Sequence, residues 1–152
     1  MKIEYLEIKG FKSAANIVLK DMPALTVLAG SNGAGKSNIT DALDFFGAVV
    51  KRGATQAIRD FGGFQQIHCF KHRKENRTTI SFTIKINLEE VEFEYSLTIS
   101  ELHRTPRVLE GLKVNGVLVI DRKSSDQTRI ALTDTSSLQH LPEYAQDMTA
   151  LM

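Results

Sequence analysis

The chain has 152 residues, of which 42% are hydrophobic and 24% charged, a composition that suits one soluble globular domain and excludes a disordered tail. A formal net charge of +1 gives no global attraction to nucleic acid or to an anionic membrane, so any such contact has to come from a local patch. One cysteine, Cys69, excludes an internal disulfide framework, no apolar run approaches the roughly 20 residues that span a bilayer, and the start of the chain lacks a signal-peptide pattern; the expectation is a cytoplasmic protein with no membrane partner.

In chain order, residues 1–9 and 14–20 read as two short strands joined by the turn Gly10-Phe11-Lys12-Ser13. The apolar run Leu25-Thr26-Val27-Leu28-Ala29 reads as a buried strand. It leads into Gly30-Ser31-Asn32-Gly33-Ala34-Gly35-Lys36-Ser37, the G-x-x-x-x-G-K-S spacing of a phosphate-binding loop. Beyond the loop, Ile39, Ala42, Leu43, Phe46, Val49 and Val50 recur at helical spacing, with Gly53 as the stop signal. A shorter helix covers 55–61 and ends at Gly62-Gly63.

From about Thr78 the period changes to two. Ile80, Phe82, Ile84, Ile86 and Leu88 alternate with polar residues, and Val91, Phe93, Tyr95, Leu97 and Ile99 resume the alternation, as half-buried antiparallel strands do. Residues 112–114 and 117–120 flank Asn115-Gly116, a strong hairpin signal. Residues 123–136 carry no pattern, and 137–152 read as a helix with Pro142 near its first turn. With no repeat or linker, the expected fold is a single α/β lobe. Its parts are a strand-loop-helix unit over 1–62, a largely antiparallel β portion over 63–122, and an irregular or helical end over 123–152.

The phosphate loop carries the chemistry. Its glycines let successive N–H groups converge on phosphate oxygens, and the following helix aims the positive end of its dipole at the same charge. Lys36 is placed to reach the terminal phosphates and the Ser37 hydroxyl to bind magnesium, so ATP and Mg2+ are the expected ligands. Such loops work with an acidic residue at the end of a second apolar strand. "VLVID", 117–121, fits that formula on paper, but it forms the second arm of the Asn115-Gly116 hairpin and is followed by Arg122, so it reads as an ordinary hairpin strand.

Two further stretches admit more than one reading. "HCFKHRKENR", 68–77, concentrates Lys71, Arg73, Lys74 and Arg77 and could meet DNA phosphates; a solvated connection fits better, because Glu75 interrupts the run. His68, Cys69 and His72 lack a fourth ligand at a recognisable spacing, which argues against structural zinc. No Ser-His-Asp or Cys-His arrangement is evident.

The opening "MKIEYLEIKGFKS" followed by "LTVLAGSNGAGKSNITDAL" resembles the N-terminal half of ABC-type ATPases of the SMC, RecF and OLD group. It is similar in particular to the shorter RecF-like and OLD-like ATPases of DNA repair and anti-phage defence. The resemblance implies a head that binds ATP between two copies, one protomer's loop facing a signature segment of the other, with closure coupled to DNA or a nuclease. It implies that Gly30, Ser31, Asn32, Gly33, Ala34, Gly35, Lys36, Ser37 and Asn38 surround the phosphates and that Lys12 lies near the nucleotide. It also implies a glutamine near the metal beside Ser37. Gln66, of the pair Gln65-Gln66, is the candidate, although a polar loop pair explains those two residues equally well.

Family members carry a signature segment, an Asp-Glu metal strand and a switch histidine in their C-terminal half, and none is found in this sequence. The chain therefore reads as an ATP-binding lobe that needs a C-terminal half or a second protomer for hydrolysis. The rival is a non-hydrolysing regulatory module or truncated product. A self-contained phosphate-loop kinase is disfavoured because neither a basic lid nor an acceptor-site carboxylate is evident.

Overall fold

Alternation of apolar and polar side chains builds the sheet. Strand β1 (Lys2–Phe11) turns back into β2 (Ala14–Lys20) and buries Leu6, Ile8 and Phe11. The computed structural model describes residues 2–102, 104–124, 127–130, 139–140 and 147–151. Six further strands follow: β3 (Thr79–Leu88), β4 (Val91–Leu102), β5 (Thr105–Val114), β6 (Val117–Ser124), β7 (Gln127–Ile130) and β8 (Gln139–His140). All eight form one antiparallel sheet in the order β2-β1-β3-β4-β5-β6-β7-β8.

The two sheets expected from the sequence are thus one. The intervening helices return the chain to the free edge of β1, where Lys2 to Lys9 register against Asn87 to Ser81 of β3. At the tip of the β5–β6 hairpin Asn115 and Gly116 take positive φ values of 49° and 79°, the geometry a two-residue hairpin turn requires.

Four helices follow the loop: α1 (Lys36–Arg52), α2 (Ala54–Asp60), α3 (Phe64–Ile67) and α4 (Phe70–Lys74). Helix α1 buries Ala42, Phe45, Ala48 and Val49, with Ile39, Leu43, Phe46 and Val50 packed at the margin. Phe45 is the centre of the core: its ring lies 5.5 Å from Phe11 and 5.3 Å, edge-on, from Phe61. Phe46 reaches across to Phe82 at 5.5 Å and to Tyr95 at 5.9 Å. Each such aromatic pair contributes on the order of 1 kcal/mol beyond its buried area.

Several expectations are corrected. Residues 25–29 form no strand; Leu25 and Val27 are 80% and 78% exposed. A buried strand of the parallel kind needs a neighbour on each edge and cover on both faces, and among the described residues the sheet offers neither. In the pattern-free 123–136 region β6 runs on to Ser124 and β7 is a strand, while 131–136 lie outside the described residues. Much of the helix expected over 137–152 also lies outside them; the described parts, β8 and 147–151, are not helical. The 68–77 connection contains α4, and α3 precedes it, each under two turns and too short to show a helical period.

The segment 147–151 crosses the junction of α1 and α2 and is held there by a buried polar group. Ala54 N–H donates to the Asp147 carbonyl at 2.7 Å, and Met148 sits against Gly53, where a Cβ would meet its sulfur at 2.7 Å. Glu110 takes hydrogen bonds from the Tyr95 hydroxyl and the Ala150 N–H, both at 2.7 Å, with Arg122 3.6 Å away and also donating to the Met148 carbonyl. Burial and the Glu110 charge hold the Tyr95 phenol far above its ordinary range, so it stays a donor.

The turn between β1 and β2 anchors the short helices. Lys12 N–H donates to the Ile67 carbonyl at 2.6 Å, and Cys69 N–H to the Gly10 carbonyl at 2.8 Å. Gly10, at φ 76°, could not carry a side chain: a Cβ would lie 2.5 Å from the Thr79 carbonyl oxygen and 2.8 Å from Nδ1 of His72. His68 and His72 are both buried, at 3% and 5% exposure. Burial, reinforced by the nearby His72 and Arg73, lowers the His68 pKa from its ordinary 6.5.

Two stability predictions follow from these groups. Glu110→Ala leaves Arg122 as an uncompensated buried charge and frees the 147–151 segment, so urea unfolding is expected to show a loss of about 3–5 kcal/mol; a loss under about 1 kcal/mol would contradict the anchoring role. As for pH, the unfolded chain protonates His68 near 6.5 while the folded chain holds it neutral to lower pH. Stability is therefore flat with respect to this group above about pH 7 and falls as pH drops through 6.5, with a slope of at most about 1.4 kcal/mol per pH unit. Comparing unfolding midpoints of wild type and His68→Gln between pH 7.5 and 5.5 checks it; equal slopes would assign the pH dependence to other groups.

Candidate nucleotide site

Helix α1 begins at Lys36, directly after Gly35, whose left-handed backbone (φ 85°, ψ 9°) glycine adopts without strain. Nothing caps this helix: Gly35 has no side chain to offer, and the first turn contains no acidic residue. Its first N–H groups thus lack intrahelical partners and aim the positive end of a 17-residue helix outward. Ahead of it the loop is folded on itself, with Ala34 N–H donating to the Ser31 carbonyl at 3.2 Å. The Lys36 ammonium donates to the Gly30 and Ser31 carbonyls, both at 2.7 Å. An open cavity of about 250 Å³ is lined by Asn32, Gly33, Gly35, Lys36, Ser37 and Asn38. The arrangement is a concentration of N–H dipoles and one ammonium facing solvent, which is chemistry for a polyanion.

The β1–β2 turn seats against the start of α1. Asn38 donates its side-chain amide to the Ser13 hydroxyl, and Lys12 pairs with Asp41, Nζ to Oδ2, at 2.5 Å. Lys12 thus lies beside the first turns of the loop's own helix, with its charge committed to Asp41. That partner was missed in the sequence; its signal is its position one turn beyond Ser37, in the "DAL" of the helix. Ser37 is exposed.

Gln66 is exposed on α3 and is linked to the site through its neighbour Ile67, whose carbonyl accepts from Lys12 N–H. The side-chain carbonyl of Gln65 is engaged by Arg73 at 3.0 Å. The geometry therefore gathers Lys12, Asn38 and the loop, and leaves Gln66 at their margin.

Asp121 does not belong to this group. It lies on β6 between antiparallel neighbours, opposite Gly111 of β5 and Arg129 of β7, and its carboxylate pairs with Lys123 at 3.2 Å. Among the described residues no cluster of three or more His, Cys, Asp or Glu could hold a metal ion, so His68, Cys69 and His72 do not form one. No described helix is long and apolar enough to cross a membrane.

Beside the loop, the exposed run 25–29 borders an apolar groove of about 270 Å³ whose walls include Ile3, Leu6, Leu19, Met22, Ile39 and Leu43. Apolar side chains on an unpaired segment, next to an apolar groove, mark surface that a partner would cover.

The chain is similar to parts of much longer proteins. A stretch of 45 residues is 44% identical to a DNA replication and repair protein RecF of Paenarthrobacter aurescens, covering 30% of this chain and 11% of that protein. Another of 59 residues is 44% identical to a chromosome partition protein Smc of Pyrococcus furiosus, covering 38% of this chain and 5% of that one. A third, of 61 residues, is 43% identical to a DNA repair protein RecN of Xylella fastidiosa, covering 36% and 11% respectively. The chain thus corresponds to about a tenth or less of each relative's length. The AAA ATPase domain model matches residues 1–150, nearly the whole chain, and ATP is the ligand such a domain implies. The loop of Gly30 to Ser37, read first from its spacing alone, thus sits within a domain-long match: the protein belongs to the AAA ATPase domain family.

Proposed function

We propose that this chain is the ATP-binding lobe of a RecF-like or OLD-like ATPase that acts on DNA, in repair or anti-phage defence, and that it reaches hydrolysis only with a complementary C-terminal half and a second protomer. The uncapped start of α1 behind Gly35, with the Lys36 ammonium held by two loop carbonyls, carries the reading. Those carbonyls are neutral acceptors. A terminal phosphate offers the same ammonium a charged acceptor, so nucleotide binding draws Lys36 away from Gly30 and Ser31. Gly30 to Asn38 are the phosphate-facing residues in this proposal, and Lys12 positions α1 through Asp41.

The donors available for magnesium fit that ion. Ser37 supplies a hydroxyl oxygen and Gln66 an amide oxygen, both exposed, and Mg2+ binds few protein ligands while keeping waters and phosphate oxygens. Bound there, magnesium neutralises charge on the terminal phosphates. What the described residues lack is a carboxylate placed to orient an attacking water. Asp121 is paired with Lys123 on an antiparallel strand, so the chain by itself binds without turnover.

The exposed run 25–29 supports the need for a complementary half. Leu25 and Val27 gain burial, and the backbone gains ladder partners, when strands from another segment flank the run. A role on DNA, with a nuclease effector, rests on the family resemblance and on the RecF and RecN relatives.

Calorimetric titration of magnesium-ATP into wild type and Lys36→Ala tests the site. The variant is expected to lose about 1.5–3 kcal/mol of binding free energy, as for a charged hydrogen bond; equal affinities would refute the loop assignment. Phosphate release at saturating magnesium-ATP is expected to stay at the level of Lys36→Ala. Phosphoryl transfer needs water positioning and charge stabilisation beyond the loop, and steady turnover near 1 s⁻¹ that vanishes in the variant would overturn the half-site reading.

A further inference from the structure

The basic stretch 68–77 is not absorbed by the nucleotide site. It folds as the end of α3, helix α4 and the lead into β3, and it encloses a second cavity of about 200 Å³ lined by Gln65, His68, Arg73, Asn76, Arg77 and Glu101 among others. His68 forms a hydrogen bond to the Thr79 backbone, while its Nε2 has no partner although the residue is only 3% exposed. A buried nitrogen without a partner is uncommon in a native fold and asks for an explanation. Here it belongs to a ring that lines a cavity whose other charged walls are two guanidinium groups and one carboxylate.

We infer that this cavity is a phosphoryl-oxyanion site, in which Arg73 and Arg77 supply the charge and His68 closes the contact through Nε2. With one ring nitrogen bonded to the Thr79 backbone, Nε2 of the neutral ring is an acceptor. It becomes a donor on taking up a proton, and the incoming anion provides the opposite charge that favours this. Binding and protonation of His68 are therefore linked. The guanidinium groups are available at small cost: Arg73 holds only the neutral amide of Gln65, and Arg77 the exposed carboxylate of Glu75 at 3.2 Å. Other charged groups at the site are Glu101 in the wall, which opposes the anion, and His72, whose ring centroid is 6.4 Å from that of His68. Lys71 and Lys74 of α4 add positive charge outside.

Such an oxyanion comes either from free phosphate or from a nucleic-acid backbone. The inference stands apart from the nucleotide site, since none of these residues belongs to the loop.

The test follows the His68 ring by NMR across pH 5 to 8 in the full chain carrying Lys36→Ala, which separates this cavity from the phosphate loop. Inorganic phosphate and a short oligodeoxythymidine are the two probes. The midpoint of His68 titration is expected to rise by about one pH unit with saturating phosphate, as for an opposite charge within a few ångströms, and to stay put in Arg73→Gln/Arg77→Gln. Both arginines are exposed, so that variant retains the fold. A rise with both probes assigns the site to nucleic-acid phosphates; a rise with phosphate alone assigns it to a small anion; both uphold the oxyanion site. No rise with either probe, or a rise that survives loss of both arginines, overturns it.

Discussion

The turn at Gly10 to Ser13 is the constraint on which the rest of the architecture hangs. Its backbone takes and gives hydrogen bonds to Ile67 and Cys69, which fixes α3 and α4. Its side chains reach Asn38 and Asp41, which fixes the start of α1. Phe11 points the other way into the core against Phe45. One turn thus sets the loop helix and the short helices relative to the same strand, and a shift at either is felt at the other through packed, hydrogen-bonded groups.

A division of labour between faces of the sheet follows. The helical face carries the aromatic core together with the Glu110, Tyr95 and Arg122 group, where polar side chains are buried and satisfied by the backbone of 148–150. The opposite face carries surface pairs such as Glu94 with Lys85 and Lys113. These hold the Glu94 carboxyl below its usual range but, being largely solvated, contribute little to stability. The nucleotide site sits at the end of the helical layer, where the backbone is least occupied by its own hydrogen bonds.

Much of this was legible in the sequence because the signals were local and periodic. The two-residue period from Thr78 to Ile99, the Asn115-Gly116 turn, the spacing Gly30 to Ser37 and the stop at Gly53 each encode their element within a few residues, and each element stands where it was expected. The resemblance of "GFKS" and "NGAGKSN" to the RecF and SMC group led to the same family that the domain match shows. The failures were non-local. The run 25–29 has the composition of a strand, but a strand is a property of two segments, and its partner is not among the described residues. That β1 joins β3, and that Glu110 and Arg122 meet beneath 147–151, depend on contacts across the fold that no window reveals. Asp41, held by Lys12 from 29 positions away, belongs to the same class.

The crowding at Gly10 also bears on how the sequence can vary. Of the two atoms that exclude a side chain there, the nearer is the Thr79 carbonyl oxygen, at 2.5 Å, and the other is on the His72 ring. A smaller residue at position 72 relieves only the second. Position 10 is therefore closed to substitution by main chain, independently of what evolves opposite it, and its glycine is expected to persist without a covarying partner while position 72 is left to drift.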